Sequence, residues 1–190
     1  MSQKLGYIGL GKMGLALSKS LLKNGYDVYG YDIDPKRLEM LKEIGGNPVS
    51  SAKELAETCD VVFSILLKTD HIEENTFGEK GITKAEKKDF IFIEMSTMYP
   101  SWQADLSERL RNEGIEMLDA PISGSHPKVD DKTISIMVGG KKDVFDQVAP
   151  VLESIAANVH YTGQNGSGAT MKIVTNLFVE EPGVFEVSSA

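Results

Sequence analysis

Gly9, Gly11 and Gly14 stand in the spacing Gly-x-Gly-x-x-Gly within Gly9-Leu10-Gly11-Lys12-Met13-Gly14, and an acid, Asp32, follows 18 residues after the last of them. Between a strand and a helix each glycine has a separate task. Gly9 allows a tight turn, Gly11 lets the backbone approach a diphosphate, and Gly14 allows the helix to pack closely on the strand. The first turn of that helix then offers unpaired N–H groups and a partial positive charge to the phosphates. Asp32, at the end of the next strand, is placed to accept hydrogen bonds from ribose hydroxyls. Its charge would repel a 2′-phosphate, so the expected cofactor is NAD(H) rather than NADP(H), with Lys36 and Arg37 close enough in sequence to moderate the repulsion. The competing explanation is a glycine-rich turn of an α/β protein that binds no dinucleotide. Loop, acid and strand–helix–strand context together favour the cofactor.

Further along, Glu94-Met-Ser-Thr97 and Asp119-Ala-Pro-Ile-Ser-Gly124 each follow an apolar run, which puts Thr97 and Ser123 at the carboxyl ends of strands, where open α/β sheets bind ligands. Pro121 fixes a turn, and the backbone at Gly124 is a candidate to hold a carboxylate. Gly166-Ser-Gly168 introduces a helix that carries Lys172 and Asn176 one turn apart on one face. Taken alone, Lys172 and Asn176 read more simply as exposed helix residues.

The elements that must position these groups alternate in type. Leu5 to Ile8, Val28 to Tyr31, Val49, Asp60 to Leu67, Phe90 to Glu94, Ile115 to Leu118, Ile134 to Val138 and Val159 to Tyr161 read as strands. Met13 to Asn24, Pro35 to Ile44, Ala52 to Glu57, Pro100 to Asn112, Val144 to Ile155 and Ala169 to Phe178 read as helices. Asn24-Gly25 ends the first helix, and Asp34-Pro35 opens the second with an N-cap and a first-turn proline. Residues 163–168 read as a flexible loop. Pro182-Gly183 breaks the last helix and 184–190 reads as an unstructured end. The alternation predicts an α/β fold of Rossmann type, with a doubly wound, mostly parallel sheet over residues 1–162. Residues 163–190 then form an active-site loop, the start of an interdomain helix and a tail.

Composition narrows the class. A formal net charge of −8 argues against nucleic acid, since Lys84, Lys87 and Lys88 are diluted by Glu86 and Asp89 and read as solvated surface. Cys59 is the only cysteine and reads as a buried inert thiol, and His71, His126 and His160 show no metal-ligand spacing. His126 reads as a loop residue, Tyr99 and Trp102 as packing at a helix start, and Met13 and Met171 as core or cleft packing. No apolar stretch approaches the roughly 20 residues that span a bilayer, and the chain enters a strand pattern at once. No membrane or signal segment is therefore expected, and the expected compartment is the cytoplasm.

With these motifs in order, from Gly6-Tyr-Ile-Gly-Leu-Gly-Lys-Met-Gly14 through Asp119-Ala-Pro-Ile-Ser-Gly124 and Met137-Val-Gly-Gly140 to Lys172 and Asn176, the sequence resembles the β-hydroxyacid dehydrogenase family, most closely its 3-hydroxyisobutyrate dehydrogenase branch. The resemblance implies an NAD-dependent oxidoreductase that moves a hydride between a nicotinamide and a small β-hydroxyacid or its semialdehyde. It implies Lys172 as catalytic acid/base, with Ser123 and Asn176 positioning substrate and the backbone near Ser123, Gly124 and Ser125 holding the substrate carboxylate. Leu66, Leu67 and Thr97 would join Gly9, Leu10, Gly11, Lys12, Met13, Gly14 and Asp32 around the dinucleotide.

Departures accompany the likeness. Ser125 replaces a second glycine and is expected to be strained if positive φ is required there. Thr175, together with Asp32, argues against the sugar-phosphate branch of 6-phosphogluconate dehydrogenases. Members of the family continue into an all-helical domain of roughly a hundred residues that covers the site and builds an oligomer, where this sequence has Glu180 to Ala190, and the partner the resemblance allows is a second copy of the chain, as in a dimer. A second reading follows: a truncated module that binds dinucleotide as a sensor or interaction partner without turnover.

Overall fold

The computed structural model of the chain describes residues 3–180. Its strands are β1 (Lys4–Ile8), β2 (Asp27–Tyr31), β3 (Asn47–Pro48), β4 (Val61–Ser64), β5 (Ile91–Glu94), β6 (Glu116–Asp119), β7 (Ile122–Ser123), β8 (Ser135–Gly139) and β9 (Asn158–Gly163). The helices are α1 (Lys12–Lys23), α2 (Pro35–Glu43), α3 (Ala52–Thr58), α4 (Thr69–Phe77), α5 (Pro100–Asn112), α6 (His126–Asp130), α7 (Lys142–Ile155) and α8 (Ser167–Glu180), with one 3-10 turn at Ile82–Lys84.

The strands form one sheet in the order β3-β2-β1-β4-β5-β6-β8-β7, with β9 paired to β8. From β3 to β6 every pairing is parallel, whereas β8 runs antiparallel to β6 and β7 and parallel to β9. The chain winds outward from β1 to β3 and then returns to lay β4 against the other side of β1. That reversal is the switch point at which a doubly wound sheet opens a ligand crevice.

Local chemistry explains the helix ends. Asp34 caps α2 by accepting the Lys36 N–H at 3.0 Å, with Pro35 in the first turn. Ser51 caps α3 by accepting the Glu54 N–H at 3.1 Å, while the Glu54 carboxylate takes the Ser50 N–H and hydroxyl. Those bonds also hold the Glu54 carboxyl below the usual carboxylate range. Two apolar layers bury the faces of the sheet. In one, Tyr7 stacks on Phe63 with ring centroids 4.8 Å apart, against Leu17, Leu21 and the buried side of α7. In the other, Ile8, Val62 and Phe92 meet α3 and α5 through Leu55, Leu106 and Leu110.

Several sequence boundaries move. The run predicted as a strand from Asp60 to Leu67 is strand over Val61–Ser64, and after the Ile65 N–H, which still donates to the Ile8 carbonyl at 3.0 Å, residues 66–67 leave the sheet as the cleft begins. The third strand lies at Asn47–Pro48 rather than opening at Val49, although the Val49 N–H still bonds the Gly30 carbonyl at 3.0 Å. Gly163 ends β9 and α8 starts at Ser167, which shortens the intervening loop to residues 164–166. Helix α4 lies in a stretch without a predicted element, because only Ile72 and Thr76 are buried and its polar majority gives no apolar stripe.

His126 stands in α6 rather than a loop. Lys87 and Lys88 are not simply solvated: their ammonium groups donate to the Cys59 and Thr83 carbonyls at 2.8 and 2.7 Å. Tyr99 and Met171 are exposed instead of packed, whereas Trp102 and Met13 pack against the two layers. Among the described residues no helix is long and apolar enough to cross a membrane. The predicted break at Pro182-Gly183 and the tail 184–190 lie outside the described residues.

Neighbouring residues of α2 offer a test of the layering. Leu41 is fully buried while Met40 is largely exposed. Leu41→Ala is expected to cost about 2–5 kcal/mol in urea unfolding, and Met40→Ala to stay within about 0.5 kcal/mol.

Candidate active site

The glycine loop lies between β1 and α1, at the switch point. Gly9 has φ +92°, and a Cβ there would meet the Ile65 carbonyl oxygen at 2.6 Å. A Cβ on Gly14 would lie 2.0 Å from the Gly9 carbonyl oxygen. These two glycines are therefore required by the protein itself, one for the turn and one for the close approach of α1. Gly11 differs: its φ is ordinary and nothing lies within 4 Å of where its Cβ would be. The free space above that residue is a cradle a side chain would fill. As N-cap of α1, Gly11 supplies no side-chain acceptor, so the first-turn amides around Lys12 and Met13 keep their donors for a ligand.

Asp32 stands across this loop. One carboxylate oxygen accepts the Leu10 N–H at 2.7 Å and the other the Asp34 N–H at 2.9 Å. The acid thus ties the glycine loop to the end of β2, a role the spacing alone did not reveal. Each oxygen has a second lone pair, so acceptor capacity remains for sugar hydroxyls. Arg37, one of two nearby cations, turns its guanidinium toward the Met40 sulfur at 3.9 Å along its own helix.

Beside Asp32 opens a cleft of about 130 Å³ walled by Ile8, Gly9, Ile33 and Leu66 and, from α4, by His71, Glu74 and Asn75. The α4 residues were missed in the sequence with the helix that carries them. Ile33 is 83% exposed and Leu67 94% exposed, leaving bare apolar surface at the mouth. Leu66 is held through its backbone: its N–H donates to the Ser96 hydroxyl at 2.8 Å, and the Ser96 N–H donates to Glu94 at 2.7 Å. Thr97 follows, exposed at the sheet edge.

The second group gathers around β6 and β8. Asp119 ends β6 fully buried, its two oxygens accepting the Gly166 N–H at 2.7 Å and the Ala169 N–H at 2.9 Å. It therefore caps α8 from another part of the chain. Burial pushes this carboxyl above its ordinary range even though the amide donors pull it down. Gly168 is obligatory at the contact, since a Cβ there would meet the Met137 carbonyl oxygen at 2.4 Å. Thr162 and Ser167 pair their hydroxyls at 2.7 Å, and Asn165 donates to the Met117 carbonyl at 2.9 Å.

The helix so placed carries Lys172 and Asn176, both half-buried. The Lys172 ammonium has neither a hydrogen bond nor an ion pair among the described residues, and burial lowers its pKa from the usual lysine value. Ser123, half-buried, lies opposite Ser135 on β8. Gly124 has φ +132°, and a Cβ there would press Ile134 at 2.9 Å. Ser125 has an extended backbone with φ −98° as N-cap of α6, so serine sits there without strain. β7 pairs with β8 and α8 packs on β8, which brings the Ser123 segment and the Lys172 helix to one strand. No hydrogen bond links Ser123 to Lys172 or Asn176 among the described residues. Cys59 is buried with its thiol pushed up to about 12, consistent with an inert sulfur.

Residues 4–163 match the protein family described as the NAD binding domain of 6-phosphogluconate dehydrogenase. The chain is 35% identical over 176 residues to 2-hydroxy-3-oxopropionate reductase of Escherichia coli, covering 93% of this chain and 60% of that protein. It is 35% identical over 175 residues to mitochondrial 3-hydroxyisobutyrate dehydrogenase of Mus musculus, covering 92% of this chain and 52% of that one. Among solved structures, 3-hydroxyisobutyrate dehydrogenase of Mycobacterium tuberculosis, solved with L-serine, superposes with a TM-score of 0.87 at 27% identity, over 94% of this chain and 60% of that chain. The chain thus spans between half and two thirds of the length of these relatives. It belongs to the family described as the NAD binding domain of 6-phosphogluconate dehydrogenase.

Proposed function

We propose that this chain carries the dinucleotide half, and the catalytic lysine, of an NAD-dependent oxidoreductase acting on a small β-hydroxyacid or the matching semialdehyde. The observation that carries this reading is the pairing of an open cradle at Gly11, beside the uncapped start of α1, with a partly desolvated amine on α8 that has no partner among the described residues. The residues fit the cofactor. Amides at the start of α1 would hold the diphosphate, Asp32 the adenosine ribose, and Ile33, Leu66 and Leu67 offer apolar contact. When bound, the nicotinamide takes up or gives the hydride. Lys172 accepts the hydroxyl proton in oxidation as the neutral amine and donates it in reduction as the ammonium. A lysine with a depressed pKa is suited to both tasks nearer neutrality. Asn176 and Ser123 would orient the substrate, and the backbone at Gly124 and Ser125 would receive its carboxylate.

NAD(H) over NADP(H) follows from charge. Asp32 and Glu74 both border the cleft, and a 2′-phosphate there would meet two acids. Cytoplasmic location, a homo-oligomer, and the division at 162/163 into a Rossmann domain and an active-site loop with interdomain helix belong to the same proposal.

A binding module without turnover is the second reading. It is favoured by the exposed apolar face of α8, where Leu177 is 63% exposed beside Ile173 and Val174, so that Lys172 stands beneath no cover among the described residues. NADH fluorescence on binding, followed by turnover with a panel of small hydroxyacids, separates the two. Turnover sinks the module, and binding without turnover sinks the enzyme.

Lys172→Ala is expected to abolish turnover while leaving NADH affinity within about twofold. A large loss of affinity would remove Lys172 from the chemistry. Because the neutral amine is the base, the oxidative rate should rise with pH to a plateau whose midpoint lies below the ordinary lysine value of about 10.4, with the reductive rate falling over the same interval. Asp32→Asn is expected to weaken NAD binding, since an amide nitrogen facing the Leu10 or Asp34 N–H cannot accept, and to narrow the preference over NADP by about tenfold. Isothermal titration with both dinucleotides reads this out, and an unchanged preference would deny Asp32 its ribose role.

A further inference from the structure

The strand register lines up one row of residues at the carboxyl edge of the sheet: Tyr31, Ile8, Ser64, Glu94 and Asp119 are successive cross-strand partners from β2 to β6. All face the layer shared with α3, α4 and α5, because Val62, Phe92 and Met117, two residues earlier on β4, β5 and β6, belong to it. The row changes character at the switch point. On the β1–β2 side it is aromatic and aliphatic, and on the β4–β6 side it is a hydroxyl and two carboxyls. Neighbouring strands lie about 4.8 Å apart, so Glu94 sits between Ser64 and Asp119 at that spacing.

Glu94 is fully buried. One of its oxygens accepts the Ser96 N–H, whereas the other has no partner among the described residues. The buried Ser64 hydroxyl and both amide atoms of the buried Gln103, which shares the inner stripe of α5 with Leu106 and Leu110, are likewise unpartnered. Ser64 is close enough to favour the ionised carboxyl, yet the two make no well-aligned hydrogen bond. Burial outweighs both serines and pushes the Glu94 carboxyl up to about 7. Charged and titratable neighbours are few. Asp119 on β6 is engaged by the α8 amides, Arg109 on α5 is paired with Glu73 of α4, and α3 turns Leu55 and Cys59 to this layer. Lys172 is the cation that α8 brings to this edge.

In a doubly wound sheet the two halves of a dinucleotide lie over the two halves of the sheet, so the nicotinamide half lies over β4–β6. The oxidised ring carries a positive charge that the reduced ring lacks. We propose that Glu94 is a positioning residue of the nicotinamide half-site. Through Ser96 it fixes the backbone of Leu66, and the charge on its buried carboxyl favours the oxidised over the reduced dinucleotide, an inference that rests on the dinucleotide reading above.

When Glu94 is protonated, the row beneath the ring gains no anion from it and the two redox forms differ less in affinity. When it ionises, attraction to the ring cation strengthens NAD+ relative to NADH. The ratio of dissociation constants, NAD+ over NADH, should therefore fall with rising pH through neutrality. A charge pair separated by about two strand spacings, partly screened, corresponds to roughly a three- to tenfold change. Any effect of Glu94 on loop geometry is common to both redox forms and cancels in the ratio.

The test is titration calorimetry of the 190-residue chain with NAD+ and NADH from pH 5.5 to pH 8.5, for wild type, Glu94→Gln and Lys172→Ala. The expected outcome is a pH-dependent ratio in wild type and Lys172→Ala, and a flat ratio in Glu94→Gln. A flat ratio in wild type, or an equal slope in Glu94→Gln, overturns the proposal. So does loss of the slope in Lys172→Ala, which would assign the effect to the amine. Absence of binding by either dinucleotide would instead overturn the cofactor reading, and this one with it. Should Glu94→Gln fail to fold, infrared difference spectra of wild type carrying 13C-labelled glutamate decide. At pH 7, exchange of NADH for NAD+ must remove a protonated glutamic acid carbonyl band, and no such change overturns the assignment.

Discussion

Carboxylates that accept backbone N–H groups hold both halves of the site to the sheet. Asp32 takes the Leu10 amide and so fastens the glycine loop to β2, and Asp119 takes the Gly166 and Ala169 amides and so fastens α8 to β6. Each such bond to an ionised group contributes about 1.5–3 kcal/mol, more than a neutral pair, and its direction is fixed by strands on both sides. The buried Asp119 carries a desolvation cost as well, visible in its raised pKa. That cost is offset only while α8 stays in place, which makes the position of Lys172 a consequence of the anchor rather than of the helix alone.

Close contact does the complementary work. Gly14 lets the first turn of α1 come against the Gly9 carbonyl, and Gly168 lets α8 come against the Met137 carbonyl. In both cases a helix start is pressed onto the carboxyl end of the sheet by the absence of a side chain. At α1 the start is left uncapped and its amides face open space, while at α8 an internal aspartate fills the same role. Two helix N-termini of similar construction thus have different uses: one is free to receive an anion from outside, and the other is already satisfied from within.

Most of the sheet was legible because its strands are short apolar runs separated by amphipathic helices with recognisable ends, as at Asp34-Pro35 and Asn24-Gly25. The glycine loop was legible for the same reason, since its residue types are dictated by local geometry. What was not legible depends on tertiary placement. α4 has too few apolar positions to announce itself, yet it supplies His71, Glu74 and Asn75 to the cleft. The Asp32 bond to Leu10 and the Asp119 grip on α8 join residues 22 to 50 positions apart, and no periodicity encodes such pairs. Ser125 drew attention as a departure from a glycine pattern, but an extended backbone at a helix cap accommodates serine, so the strain expected there does not arise.

Three polar side chains in one interior layer break the rule that buried polar atoms are paired. Ser64, Glu94 and Gln103 are buried with unpartnered polar atoms, in a layer otherwise filled by Phe92, Leu106 and Leu110. An apolar residue at Ser64 or Gln103 would pack with less penalty, because a buried polar atom without a partner costs about 1–3 kcal/mol, whereas at Glu94 it would also strip the Ser96 N–H of its acceptor. Such groups concentrate where a local rule is broken for a use elsewhere, and these three lie together under the β4–β6 half of the crevice, while a fourth, the Ser18 hydroxyl, lies apart on α1. The apolar side needs only flat surface and one acceptor, which Ile33, Leu66 and Asp32 supply. If the nicotinamide half of a dinucleotide lies over the polar side, as proposed above, a buried carboxyl there is the simplest internal group able to respond to a ring whose charge changes with its redox state.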